Sequence, residues 1–103
     1  MTPAVADTLG LLAEAKQLAH DLGYRVREEP LGDLPGGGCS IAGVSHVLLN
    51  LEQTVAERLD ALLAVLAVDP RVAGEPQSRL LAARLRRAAA GSARPPADDQ
   101  ASR

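Results

Sequence analysis

A triple glycine that feeds an alternating apolar segment, which in turn runs straight into a capped leucine helix, constrains this chain more than any other feature. Residues Gly36 to Leu51 read as a β-hairpin entered through a glycine loop, with strand signals on both sides of Ala42-Gly43. Immediately after it, Thr54 and Glu57 have the spacing of a capping box, in which each residue's side chain bonds the other's backbone amide. Val55, Leu59, Leu62, Leu63 and Leu66 then recur at helical spacing, and Asp69-Pro70 closes the segment, predicting a helix over Val55–Val68. That helix is expected to lie across the inner face of the hairpin.

The hairpin register decides whether Cys39 and His46 share a face. A two-residue turn at Ala42-Gly43 sets them opposite one another, but it requires Ala42 at positive φ, or a glycine at the first turn position. A three-residue loop, Ile41-Ala42-Gly43, with Gly43 as the left-handed bulge residue, fits the turn chemistry better. In that register Ser40 pairs with Val44. Cys39, Val47, Leu49 and Leu51 then line one face, and His46, Leu48 and Asn50 the other. Cys39 is therefore expected to be a small buried hydrophobe looking away from His46.

Upstream, Thr2-Pro3 suits a helix start, and Leu11, Ala15, Leu18 and Leu22 make an amphipathic stripe that ends at Gly23, where a left-handed cap belongs. Glu14, Lys16, Gln17 and Asp21 fall on its solvent side. Tyr24 to Glu29 alternates at its start and precedes Pro30, predicting a short strand with Tyr24 and Val26 inward and Arg25 and Arg27 outward. Glu28-Glu29 reads as a solvated strand end. Leu31 to Gly38 is a loop, with Leu31 and Leu34 tucked beneath it. A last helix begins near Pro76, buries Leu80, Leu81, Leu85 and Ala88, and ends near Gly91. Residues 92–103, rich in Pro, Ala, Asp and Ser without periodicity, form an expected disordered tail beyond a single domain over residues 1–91.

The 103 residues allow one domain with one small core. Phe and Trp are absent and Tyr24 is the sole aromatic, so that core is built from Leu, Val, Ile and Ala. The expected architecture is α+β, in the order α-β-β-β-α-α, with a small, mainly antiparallel three-stranded sheet packed on helices.

Few chemistries fit these residues. The net charge of −2, with Lys16 the only lysine, provides no field for nucleic acid or an anionic membrane surface. Arg79, Arg84, Arg86 and Arg87 give the last helix a basic side, read as solvated. His20, Cys39 and His46 have no metal-ligand spacing, and the triple glycine lacks the Lys-Ser/Thr and following helix of a phosphate loop. The lone Cys39, the absence of a secretory pattern at the N-terminus and the lack of an apolar run near 18 residues point to a cytoplasmic protein. Asn50 closes the hairpin where an amide can bond a turn.

The sequence G-x-C-x-I-x-G, then V-L-L-N and an acid-capped leucine helix, resembles a group of small uncharacterised bacterial proteins. More remotely, Tyr24 to Val68 is similar to the hairpin-then-helix segment of gluzincin-type zinc peptidases. Those carry HExxH on the helix after the strand, whereas Val55 to Leu63 here contains no histidine. The resemblance therefore implies a relative with no metal ligand and no activity carried over. The expected function is that of a small non-enzymatic interaction or accessory module, without cofactor, that binds a protein partner or a second copy through a strand edge or helix face and engages neither nucleic acid nor membrane. The alternative is a small metal- or thiol-dependent enzyme using Cys39 and His46, with Asn50 as a third candidate.

Overall fold

A computed structural model describes residues 3–93. The element order is α1 (Pro3–Asp21), β1 (Arg25–Glu29), β2 (Gly37–Ile41), β3 (Val44–Asn50), α2 (Val55–Ala67), a 3₁₀ turn (Pro70–Gly74) and α3 (Arg79–Ala93). The α+β class and the α-β-β-β-α-α order are as expected. The 3₁₀ turn is an addition, started by Pro70 after an Asp69 side chain that accepts from the Arg71 amide. The expected cap at Thr2 and positions 94–103 of the expected tail lie outside the described residues, and α3 continues past Gly91 to Ala93.

Each helix follows from its punctuation. α1 ends in a complete Schellman motif: Gly23 takes φ 94°, its N–H donates to the His20 carbonyl, and the Tyr24 N–H donates to the Ala19 carbonyl. α2 opens on the expected reciprocal box, Glu57 N–H to Thr54 Oγ1 at 3.1 Å and Thr54 N–H to Glu57 Oε1 at 2.9 Å. α3 starts after Ser78 rather than at Pro76. Ser78 Oγ accepts from the Leu81 N–H and donates to Glu14 Oε1 on α1, so one residue caps α3 and fastens it to α1.

Leu11, Leu12, Ala15, Leu18 and Ala19 of α1, Leu59, Leu62, Leu63 and Leu66 of α2, Val47 and Leu49 of β3, Val72, and Leu81 and Leu85 of α3 form one aliphatic core. Leu80, expected inside, is 59% exposed, because the α3 face turned inward is centred on Leu81 and Leu85. Leu34 is exposed as well, and the loop it was expected to pin is held instead through backbone groups of Leu31, Gly32 and Leu34 that bond the Asn50 side chain.

The sheet corrects the expectation of a mainly antiparallel meander. Its order is β1-β3-β2, with β2 antiparallel and β1 parallel to β3. β3 is the most apolar strand and takes the centre, where both of its edges are satisfied. β1, with Arg and Glu at four of its five positions, takes one outer edge. The connection from β1 to β2 must therefore cross the C-terminal end of β3.

The hairpin turn is also corrected. Ile41 pairs with Val44, Ser40 with Ser45 and Cys39 with His46, so the loop is the two-residue Ala42-Gly43. Both turn residues have positive φ, 52° at Ala42 and 81° at Gly43, the sign a type I′ turn requires. The two-residue turn keeps Ile41 in the ladder opposite Val44, a β-branched cross-strand pair that the three-residue loop would lose by taking Ile41 into the turn. The cost is a left-handed Ala42, about 1–2 kcal/mol. A glycine stays under α2 in this register: a Cβ at Gly38 would meet the Val65 methyls at 3.1 and 3.3 Å.

Candidate functional site

The helices cover one face of the sheet and leave the other open. Val47 and Leu49 point into the core, as expected, but Leu51 is 46% exposed and Cys39 is exposed on the open side. Pleat and register put Ile41, Val44, Cys39, His46, Arg25, Leu48 and Arg27 on that open face. Cys39 and His46 are thus cross-strand neighbours, contrary to the expectation that they part. Among the described residues no hydrogen bond links the thiol to the imidazole, and no group of three or more His, Cys, Asp or Glu is placed to hold a metal ion.

Asn50, the third candidate, is 1% exposed and fully engaged. Its Oδ1 accepts from the Leu31 and Glu52 amides, and its Nδ2 donates to the Gly32 and Leu34 carbonyls, all at 2.9 Å. Both donor hydrogens and both acceptor positions of the amide are used. The amide ties down the crossing connection where it passes over the end of β3. At the far end of that connection, a Cβ at Gly36 would fall on the Leu48 carbonyl, which is why the chain entering β2 carries no side chain there.

Two polar clusters escaped the sequence reading. Glu28, read as solvated, lies on the helix-facing side of β1 and meets Lys16 Nζ at 3.2 Å and Arg58 Nη1 at 3.5 Å. Arg58 is only 17% exposed by side chain, and its Nε is buried without a hydrogen-bond partner. The strand period marks Glu28 as inward-facing, a signal that its neighbour Glu29 obscured. At the other end, Tyr24 Oη donates to Asp69 Oδ2 at 2.7 Å, and Arg71 Nη2 donates to the same oxygen at 2.7 Å. The Arg71 guanidinium also bonds the Leu22 carbonyl and stands 5.8 Å above the Tyr24 ring. The Arg71 hydrogen bonds hold the Asp69 carboxyl well below the usual carboxylate range, while burial and then the Asp69 contact push the Tyr24 phenol up.

A cleft of about 550 Å³ beside β1 is lined in part by His20, Arg25, Arg27 and His46. Arg27 there is already paired with Glu29. A smaller cleft, about 320 Å³, lies at the hairpin end between Ser40 and Ser45 on the sheet, Tyr24 just before β1, Val65 on α2 and Val68 just past its end.

The two sheet edges differ most. β1 presents Arg25, Arg27, Glu28 and Glu29, while β2 presents Gly-Gly-Cys-Ser-Ile. No Asp, Glu, Lys or Arg occurs between Asp33 and Glu52. Charge and proline are the usual guards against edge-to-edge pairing, and β2 carries neither. No helix among the described residues is long and apolar enough to cross a membrane. Neither a protein-family model, a curated protein nor a solved structure matches the chain.

Proposed function

We propose that this protein is a small non-enzymatic interaction module whose working surface is the β2 edge together with the open sheet face beside it. The observation that carries the reading is the unguarded edge: an exposed, charge-free strand, flanked by Ile41 at 58% and Val44 at 36% exposure, on a sheet whose opposite edge is charged. Strand addition at such an edge supplies main-chain hydrogen bonds, and the neighbouring side chains supply selectivity. The test compares wild type with Ser40→Pro in sizing and cross-linked capture from cell extract. Association that the proline abolishes supports the reading; an inert monomer in both preparations overturns it.

A second reading draws on the register. Cys39 and His46, side by side on an open face, are the pair that a thiol- or zinc-dependent enzyme would use, since a thiolate nucleophile needs a neighbouring base. Metal analysis of protein purified without an affinity tag, with thiol titration against pH, decides it. Stoichiometric zinc, or a thiol that reacts as thiolate well below pH 8, favours the enzyme; metal-free protein with an ordinary thiol removes it.

A further inference from the structure

We infer that the occupant of the β2 edge is a second copy of this chain, paired antiparallel along β2 with the two-fold axis passing between the two Cys39 residues, so that two three-stranded sheets join into one of six strands. The inference rests on the interaction reading above and adds partner and register to it.

The two-residue turn fixes which backbone groups are available. Ile41 and Val44 form the closing hydrogen-bonded pair, so by alternation Cys39 spends its N–H and C=O on His46 in β3. The N–H and C=O of Gly38 and Ser40 then point away from β3, out of the sheet. An antiparallel mate centred on Cys39 sets Gly38 against Ser40 of the second copy and Ser40 against its Gly38. Those are the residues whose groups point outward, so both are hydrogen-bonded pairs. The contact is isologous, as a closed two-fold dimer requires.

Side chains agree with the same register. On the open face Ile41, which is 58% exposed, falls opposite Gly37 of the second copy, where a Cβ would meet nothing within 4 Å. The isoleucine then lies over a glycine beside Leu48 of the second copy, and each copy fills the other's gap. On the helix side, Val65 covers Gly38 at one edge of the cleft between Ser40, Val65 and Val68. The register brings the second copy's Gly38, with its Val65, against that cleft, and it gives the 67%-exposed Val68 an apolar neighbour. Charge permits the match: a strand of like charge would repel its own copy, whereas this edge has none. A five-residue edge is short of the roughly 1,200 Å² that stable complexes bury, so the dimer forms and dissociates with concentration.

Cys39 reports the register. Its pair with Cys39 of the second copy is of the non-hydrogen-bonded kind, with Cα atoms about 4.5 Å apart, inside the range a disulfide spans. Full-length protein is followed by sedimentation velocity over roughly two decades of concentration. It is then treated with diamide, which accepts the two electrons and two protons released as two thiols become one disulfide. The expected result is a concentration-dependent dimer that diamide locks through Cys39. Ser40→Pro, which removes only an outward-pointing N–H, should be monomeric with an unchanged circular dichroism spectrum and melting temperature. A dimer that survives Ser40→Pro, or that diamide fails to lock, overturns the register. A monomer at every concentration that still captures another protein, with capture lost in Ser40→Pro, overturns the second copy as occupant and leaves the interaction reading standing. A monomer that captures nothing overturns both.

Discussion

Tyr24 Oη donates to the Asp69 carboxylate across 45 residues of sequence, fastening the start of β1 to the turn that follows α2. With Arg71 on the same carboxylate, the contact locks the end of α1, the sheet and the 3₁₀ turn together. Asp69 is 8% exposed by side chain, so its charge is held by these partners rather than by water.

Because the folded Asp69 titrates below its unfolded value of about 3.9, its contribution is fully present above that pH. It is lost as pH falls through the folded value. Asp69→Asn should therefore cost about 2 kcal/mol near neutral pH. It should also flatten the acid limb of stability below pH of about 4, read by urea unfolding at several pH values.

Tyr24 gives the opposite limb. Its raised phenol favours the neutral form in the folded state, so its contribution holds below its unfolded value near 10 and fades as pH rises past the folded one. Tyr24→Phe should remove that alkaline loss and cost about 1 kcal/mol at neutral pH. Alkaline denaturation by circular dichroism reads it.

Asn50→Asp places a carboxylate oxygen where an NH₂ group now donates to the Gly32 and Leu34 carbonyls. Above the carboxyl's titration this should cost about 3 kcal/mol or more, and acid should partly restore stability as that oxygen regains a proton. A destabilisation independent of pH would contradict the bonding described for this amide.

Ala42 takes φ 52° in the hairpin turn, where Asn and Gly are the favoured residues. Ala42→Asn and Ala42→Gly should each raise stability by about 0.5–1 kcal/mol. Thermal melts detect this as a gain of several degrees for a chain of this size.

Glu28→Gln leaves Lys16 and the largely covered Arg58 without their shared counter-charge. The cost should be about 1.5 kcal/mol, between that of an exposed and a buried pair. It should shrink in the double variant with Arg58→Met, and chemical unfolding of the four-membered cycle measures the coupling.

The helices were legible because their signals are local. The Leu59-Leu62-Leu63-Leu66 stripe, the Thr54–Glu57 box and the Gly23 cap each act within one or two turns, and all three stand where the residues put them. Strand order was not legible, since a meander and the observed β1-β3-β2 arrangement use the same strands. Only the core decides that the apolar β3 belongs in the middle. The turn misled for a related reason. Its own chemistry disfavours Ala42 at positive φ, and the opposing gain, the Ile41–Val44 rung of the ladder, exists only once β2 and β3 have paired. Of the candidate site, Asn50 was found in the role of bonding a turn. Cys39 and His46 share a face only in the two-residue register, which the turn chemistry alone disfavours.

β1 and β2 share no rung with each other; every ladder bond of the sheet ends on β3. That strand is the keystone, and once it loosens the outer two have nothing left to hold. The amide protons bonded within the ladder should then exchange at a single rate set by release of the middle strand, so the sheet behaves as one unit although it is drawn from two separate stretches of chain.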